Sequence, residues 1–421
     1  MDKFIIQKSG PLKGKVSISG AKNSCLALMA ASLLTDEPVE LENSPDLVDV
    51  RTMTQVLEYL GVDVSRSSRS TLKLDSSRAA GYKAPYELVS RMRASYYVLG
   101  PLTARRGRAE VSLPGGCAIG QRPIDMHLKG LALLGAEITT AGGYVTVKAG
   151  KLRGRRIDLE GRFGTSVGAT ANVMMAASLA GGTSVIDGAA REPEIADLAD
   201  MLNSMGARIE GAGAARIVIQ GVSGLTGVRH TVIPDRIEAG TFAVAAAITG
   251  GEVVIGGCNP DHLESVTSLL EKLGVRLEKG EHTLMVRGHE ELPAFEIETR
   301  PYPGFPTDMQ AQFCALATQA RGTSVIEENI FENRAMHVPE LARLGADIRS
   351  EGRRIIVRGP SRLSSAPVMA SDLRASAALV LAALVAQGSS EILRIYHLDR
   401  GYENLEVKLA RLGARIIRVS A

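Results

Sequence analysis

One phrase recurs six times along the chain: a helical run that ends in a glycine and passes into a short β-prone stretch. YLGVDV ends at Val64, LLGAEI at Ile138, SMGARI at Ile209, KLGVRL at Leu277, RLGADI at Ile348 and RLGARI at Ile416. The glycines, Gly61, Gly135, Gly206, Gly274, Gly345 and Gly413, fall about 70 residues apart, so six copies occupy the whole of the 421 residues.

Each copy contains more than its phrase. Upstream residues have helical spacing, as Val50, Met53, Val56, Leu57 and Leu60 show, and glycine is the usual helix terminator. Downstream, a polar turn leads to a second apolar stretch, RIVIQG at 216–221, TLMVRG at 283–288 and RIIVRG at 354–359, which reads as a hairpin. Further upstream lies a strand preceded by an entirely apolar helix, VMMAASLA before GGTSVIDG or CALATQA before RGTSVIEE. The unit is therefore βαβαββ. Its second helix is amphipathic, whereas its first is apolar on every side and must be enclosed by protein. Helices then belong inside and sheets outside. The expected class is α/β, with two domains of three βαβαββ repeats around buried central helices, although periodicity equally admits one six-unit ring. Gly and Pro cluster at 222–235. The expected domains are 22–232, and 1–21 with 233–421, the N-terminal stretch IIQKSGPLKGKVSIS pairing with the last repeat.

Composition narrows the possible partners. Lys and Arg number 49 against 46 Asp and Glu, Trp is absent and aromatics make up 4%, so neither a polyanion-binding charge nor base-stacking platforms are present, and nucleic acid is not expected. The apolar runs 375–386 and 242–249 fall well short of the roughly 20 residues that span a bilayer, so no membrane is expected. Cys25, Cys117, Cys258 and Cys314 lie far apart without C-x-x-C spacing, which fits a reducing, cytoplasmic setting. No phosphate-loop or dinucleotide motif occurs and the seven histidines lack ligand spacing, so neither cofactor nor metal is expected.

Polar groups gather where each internal helix begins: Lys22 and Asn23, Arg91 and Arg93, Ser166, Asp235 with Arg236 and Glu238, Asp308, and Asp372 with Arg374. Helix starts carry unpaired N–H groups and a positive dipole end, which suit phosphate or carboxylate. Capping is the competing reading. Thr307 and Gln310 have capping-box spacing, and Ser371 or Asp372 is a competent N-cap. Buried Arg or Lys beside apolar helices is harder to assign to capping, because an unpartnered buried charge costs several kcal/mol. The segment 113–125, LPGGCAIGQRPID, reads as an exposed loop whose Cys117 has Arg122 nearby to favour the thiolate. Cys25 and Cys314 read as core residues, and Cys258 sits in a turn. GTSVG at 164–168 matches a hydrolase nucleophile elbow, but it is the third copy of a repeat position, and Ser166 fits a phosphate seat better.

The stretches SGAKNSCLALMAASLL, RMRAS, LPGGCAIGQRPID, AAREPEIADLA, PDRIEAGTF, FPTDMQAQF, FENRAMHVPEL, ASDLRASAALVLA and RIYHLDRGYE together resemble the enolpyruvyl transferases that act on UDP-N-acetylglucosamine in peptidoglycan synthesis. The resemblance runs end to end. It implies two inside-out α/β barrels with the active site in the cleft between them. Like charges facing one another across that cleft, neutralised by ligand anions, predict closure on substrate with the cysteine loop as lid. The implied reaction moves the enolpyruvyl group of phosphoenolpyruvate to the sugar 3-hydroxyl and releases phosphate, through a tetrahedral intermediate. On matching positions it implies that Lys22 and Asn23 contact phosphoenolpyruvate, that Arg93, Arg122 and Arg400 gather its phosphate, and that Arg374 helps with its carboxylate. Cys117 would protonate C3, could also bond covalently to C2 and would be the thiol alkylated by fosfomycin, while Asp308 would accept the proton of the 3-hydroxyl. The implied sugar-nucleotide contacts are Arg93, Arg122, Pro123, Ile124, Asp125, Met126, Ser166, Val167, Gly168, Asp308 and Ile330. Two other readings remain: a sugar-nucleotide-binding paralogue without turnover, and the related transferase of the shikimate pathway.

Overall fold

The computed structural model describes residues 2–113, 124–161, 164–289 and 291–420. Their contacts divide into two compact units: 2–19 with 234–420, and 20–113 with 124–233. The chain passes from one to the other after Ser19 and back after Ile233.

The unit of 20–233 contains helices α1 (Lys22–Ala31), α2 (Val48–Tyr59), α3 (Tyr86–Val89), α4 (Leu99–Arg106), α5 (Asp125–Leu133), α6 (Val167–Ser178) and α7 (Pro193–Ser204). The unit of 234–420 contains α8 (Arg236–Thr249), α9 (Glu264–Lys272), α10 (Gln310–Ala317), α11 (His337–Arg343), α12 (Leu373–Val385) and α13 (Leu405–Arg411). Each has three sheets among its described residues.

One repeat shows the plan. Strand Arg156–Asp158 runs parallel to Thr183–Asp187, which pairs antiparallel with Arg216–Gln220, and Arg208–Glu210 forms the edge. Helix α6 connects the parallel pair and α7 precedes the final hairpin, so the order is βαβαββ. Residues 169–178 of α6 are buried all round, and its Ala, Met and Val side chains let neighbouring helices approach closely. Helix α7 instead buries one face, through Ile195, Leu198, Met201 and Leu202. All six repeat glycines have φ between +85° and +102°, a left-handed turn that side chains resist. At Gly135, Gly206 and Gly413 an added Cβ would meet open space, so the requirement there is conformational alone.

Three repeats are completed from a distance. Val228–Thr231 runs parallel to Val39–Glu42 in the first repeat. Lys13–Ser17 completes the fourth, running parallel to Glu252–Gly256 rather than beside the last repeat as expected. Lys3–Gln7 lies between Ser389–Leu393 and Arg415–Val419, filling the place of the last repeat's missing return strand. The second repeat departs from the pattern at its internal helix, where Arg93–Val98 is 3₁₀ and α4 begins only at Leu99. Pro101 explains this: an α-helix running through it would need its absent N–H to bond Tyr97, so the helix restarts with Pro101 in its first turn. The buried apolar residues form two clusters that share no member, one per unit.

Candidate active site

In the unit of 234–420 the starts of α8, α10 and α12 are built differently. Asp235 caps α8, accepting from the N–H groups of Ile237 at 2.8 Å and Glu238 at 3.0 Å. Asp372 caps α12 through Arg374 N at 2.8 Å and Ala375 N at 3.0 Å. The third start is the 3₁₀ turn Thr307–Met309, which has no side-chain cap. The capping box expected from Thr307 and Gln310 does not form. Thr307 Oγ1 donates instead to Glu328 Oε2 at 2.8 Å and accepts from Arg334 Nη1 at 2.8 Å. The buried Gln310 amide bonds to no described residue. The hydroxyl is drawn away because a carboxylate and a guanidinium make stronger, charge-assisted partners than a backbone N–H.

Asp308, at the centre of that turn, is gripped on both oxygens. Oδ1 accepts from Arg334 Nη2 at 2.5 Å and Oδ2 from Arg374 Nη2 at 3.1 Å. Burial alone would raise the Asp308 pKa, but the charges of Arg374 and Arg334 outweigh it and hold the carboxyl well below the usual carboxylate range. Both guanidiniums are buried, at 4% exposure for Arg374 and 6% for Arg334, whereas the Asp308 side chain keeps 28%. Arg334 Nε and Arg374 Nε and Nη1 are buried without a hydrogen bond among the described residues. These leftover donors flank one carboxylate, an arrangement suited to an entering anion. Tyr402 closes the base of the cluster, its hydroxyl 2.8 Å from Thr241 Oγ1 and accepting from Gln312 Nε2 at 3.3 Å. Ile330 is half-buried on the turn between Glu328 and Arg334, and Arg400 is half-buried at the end of the 3₁₀ segment Ile395–Arg400.

In the unit of 20–233, Lys22 opens α1 and its Nζ lies 2.9 Å from Asp49 Oδ2, both groups buried. Asn23 is exposed beside it. Ser24 follows with a hydrogen bond to Asp197, which also lies 2.7 Å from His230 Nε2. The buried cations at Lys22 and Arg374 thus have carboxylate partners within the protein, so burial by itself does not demand a ligand at either. Ser166 caps α6, accepting from Ala169 N at 3.3 Å. Gly168 faces His127, where an added Cβ would come within 3.0 Å of the ring. The His127 imidazole is 2.8 Å from Asn172 Nδ2, and burial followed by the Arg93 charge lowers its pKa to about 3. Arg93 and the Ser166–Gly168 turn therefore share one imidazole as neighbour. Val167 and Met126 are half-buried, Ile124 is buried and Asp125 is exposed in the first turn of α5. Cys117, Arg122 and Pro123 lie outside the described residues.

Sequence reasoning brought Asp308 and Arg374 into one site but missed Arg334 and Glu328. Glu328 ends the stretch RGTSVIEE and Arg334 lies in FENRAMHVPEL, and only their side-chain partners, 21 to 29 residues away, set them apart.

The profile of the family described as EPSP synthase (3-phosphoshikimate 1-carboxyvinyltransferase) matches residues 6–409. The chain belongs to this enolpyruvyl transferase family. Within it, the chain is 55% identical to the UDP-N-acetylglucosamine 1-carboxyvinyltransferase of Maricaulis maris, over all of this chain and 99% of that one. It is also 55% identical to the protein of the same name from Trichlorobacter lovleyi, over all of both chains. Among solved structures it is similar to the enolpyruvyl transferase NikO from Streptomyces tendae, with a TM-score of 0.90, 28% identity, and coverage of 100% of this chain and 99% of that one. EPSP synthase from Acinetobacter baumannii shares the fold at a TM-score of 0.76, with 19% identity and all of both chains covered. The higher identities place the chain in the UDP-N-acetylglucosamine branch of the enolpyruvyl transferases rather than the shikimate branch.

Proposed function

We propose that the protein transfers the enolpyruvyl group of phosphoenolpyruvate to the 3-hydroxyl of UDP-N-acetylglucosamine and releases phosphate, the first committed step of peptidoglycan synthesis. The observation that carries this reading is the 52–55% identity, over 99–100% of this chain, with relatives that bear that enzyme's name. The Asp308 cluster supplies chemistry that fits.

In the addition step the sugar oxygen bonds to C2 of phosphoenolpyruvate, the hydroxyl proton passes to Asp308, and the C2–C3 π pair takes a proton at C3. In the elimination step C3 loses a proton, its electron pair re-forms the double bond, and the C2–O bond to phosphate breaks. Asp308 between two guanidiniums is fully ionised but a weak base. A substrate carboxylate on the leftover donors of Arg374 draws off part of that positive charge, and Asp308 becomes more basic when its substrate is in place. We assign Cys117 as the acid at C3 and the thiol open to fosfomycin, Lys22, Asn23, Arg93, Arg122 and Arg400 to phosphoenolpyruvate with Arg374, and Ser166–Gly168, Ile330 and the 122–126 segment to the sugar nucleotide. Domains 22–232 and 1–21 with 233–421 each supply part of this set.

Among the described residues no helix is long and apolar enough to cross a membrane. We assign the activity to the cytoplasm, which suits four cysteines without disulfide spacing.

Mixing the protein with phosphoenolpyruvate and UDP-N-acetylglucosamine should release phosphate and form the enol ether, and shikimate 3-phosphate should not substitute as acceptor. Phosphate release only with shikimate 3-phosphate would move the protein to the other branch. Release with neither acceptor would leave only a binding role.

A further inference from the structure

Glu328 gathers four donors around one buried carboxylate, and none of the roles assigned above uses it. It follows strand Ala320–Glu327 and is 4% exposed. Oε1 accepts from Thr299 Oγ1 at 3.0 Å, Ile330 N at 2.8 Å and Phe331 N at 3.1 Å. Oε2 accepts from Thr307 Oγ1 at 2.8 Å. The two oxygens thus serve different segments. One ties off the turn that leads to Arg334, and the other reaches the residue before Asp308.

The second link has a fixed direction. Arg334 can only donate and an ionised carboxylate can only accept, so the single proton of Thr307 must point to Glu328 while its oxygen faces Arg334 Nη1. Arg334 is then held by one nitrogen on Thr307 and by the other on Asp308 Oδ1. We propose that Glu328 is a positioning residue for the proposed base, acting through the ordered chain Glu328–Thr307–Arg334–Asp308 to set the orientation of the guanidinium against the Asp308 carboxylate. The proposal rests on Asp308 being the base.

Glu328→Gln separates the two functions of the side chain. Its carbonyl oxygen can keep the three bonds of Oε1, so the turn at Ile330 and Phe331 stays closed. Its NH₂ replaces the acceptor facing Thr307, which frees the threonine proton and destroys the fixed direction. Small misplacements of a reacting group cost up to about a hundredfold in rate, so kcat should fall about tenfold to a hundredfold, with KM for UDP-N-acetylglucosamine within about twofold. Thr307→Val should reproduce the kcat loss and Thr307→Ser, which keeps the hydroxyl, should stay within about threefold of the unaltered chain. The double variant Glu328→Gln with Thr307→Val should be no slower than Thr307→Val alone, because both break one chain. An unchanged kcat in Glu328→Gln, additive losses in the double variant, or a loss confined to thermal stability would each overturn the proposal. Should Glu328→Gln fail to fold, the two Thr307 variants decide it, since equal kcat in Ser and Val also overturns it. Asp308→Asn distinguishes the underlying reading. Full turnover in that variant removes Asp308 as base, whereas loss there with normal Glu328→Gln kinetics removes only the chain.

Discussion

Two histidines are buried as neutral imidazoles, one in each unit, and both bear on how the protein tolerates acid. Burial lowers the pKa of His127 to about 3, helped by Arg93, and that of His337 to about 4, against the opposing charge of Asp372. An unfolded histidine takes up its proton near pH 6.5, while the native one does not until far lower. The unfolded state therefore binds more protons throughout that interval, and stability, complete above the unfolded pKa, is lost as pH falls from about 6.5 toward 4 and 3. Each histidine contributes up to about 1.4 kcal/mol per pH unit. Asp308 works at a different pH: its depressed carboxyl contributes stability present above its unfolded pKa and lost only below about 4. Urea midpoints should thus fall between pH 7 and 4.5 through the histidines, against an opposing contribution from Glu238, whose carboxyl pKa burial raises. His127→Gln, which can still accept from Asn172, should flatten the dependence, and an undiminished slope would show that His127 is not its source. Nothing in the sequence marked His127 or His337, since a lone histidine on a helix has no pattern until its neighbours are known. Asp308 and Arg374 were legible because long motifs carried them. Glu328 and Arg334 were not, because their partners lie on segments that only the folded sheet brings near.

The helices were far more legible than their ends. Apolarity on every side of α6, α8 and α12 gave their enclosure directly, and the left-handed glycine after each outer helix gave its termination. The starts depended on tertiary partners. Thr307 looked like a cap and became a link between two charged groups, while Pro101 delayed α4 by a turn that periodicity could not register. The start of α6 is the tightest of these. Gly168 occupies its first turn with His127 against it, and the methyl of Gly168→Ala would lie 3.0 Å from the ring atoms Cε1 and Nε2. The ring cannot retreat freely, being held by Asn172, whose amide also bonds Tyr96 O at 2.9 Å and Gly100 N at 2.7 Å. Overpacking of this kind costs about 1–3 kcal/mol, more than the gain in helix propensity from Gly to Ala. Gly168→Ala should therefore lower the melting temperature, whereas Gly206→Ser, in open space, should show only the cost of its left-handed backbone. A more stable Gly168→Ala would mean that His127 moves without penalty.

Six phrases predicted six repeats, yet periodicity could not say whether the repeats close as one ring or two. That choice is made by strands returning across the sequence: Val228–Thr231 to the first repeat, Lys13–Ser17 to the fourth and Lys3–Gln7 to the last. The expected pairing of the N-terminal stretch with the last repeat is found for Lys3–Gln7, whereas the place of Lys13–Ser17, beside Glu252–Gly256, was not readable, since pairing over so long a separation leaves no local trace. The N-terminal strand is central in its sheet, with Phe4 and Ile6 fully buried and Ile6 opposite Ile416. Deleting residues 1–8 would strip the backbone partners from two strands and remove two core side chains, each costing about 2–5 kcal/mol, from a domain whose total stability is about 5–15 kcal/mol. The unit that contains Asp308, Arg374 and Arg400 should then unfold or melt far earlier. The apolar core of the other unit shares no residue with it and should keep its own transition. Calorimetry of the truncated chain should show one transition displaced or lost and one near its original temperature. If both move together, folding of each unit depends on the other despite their separate cores.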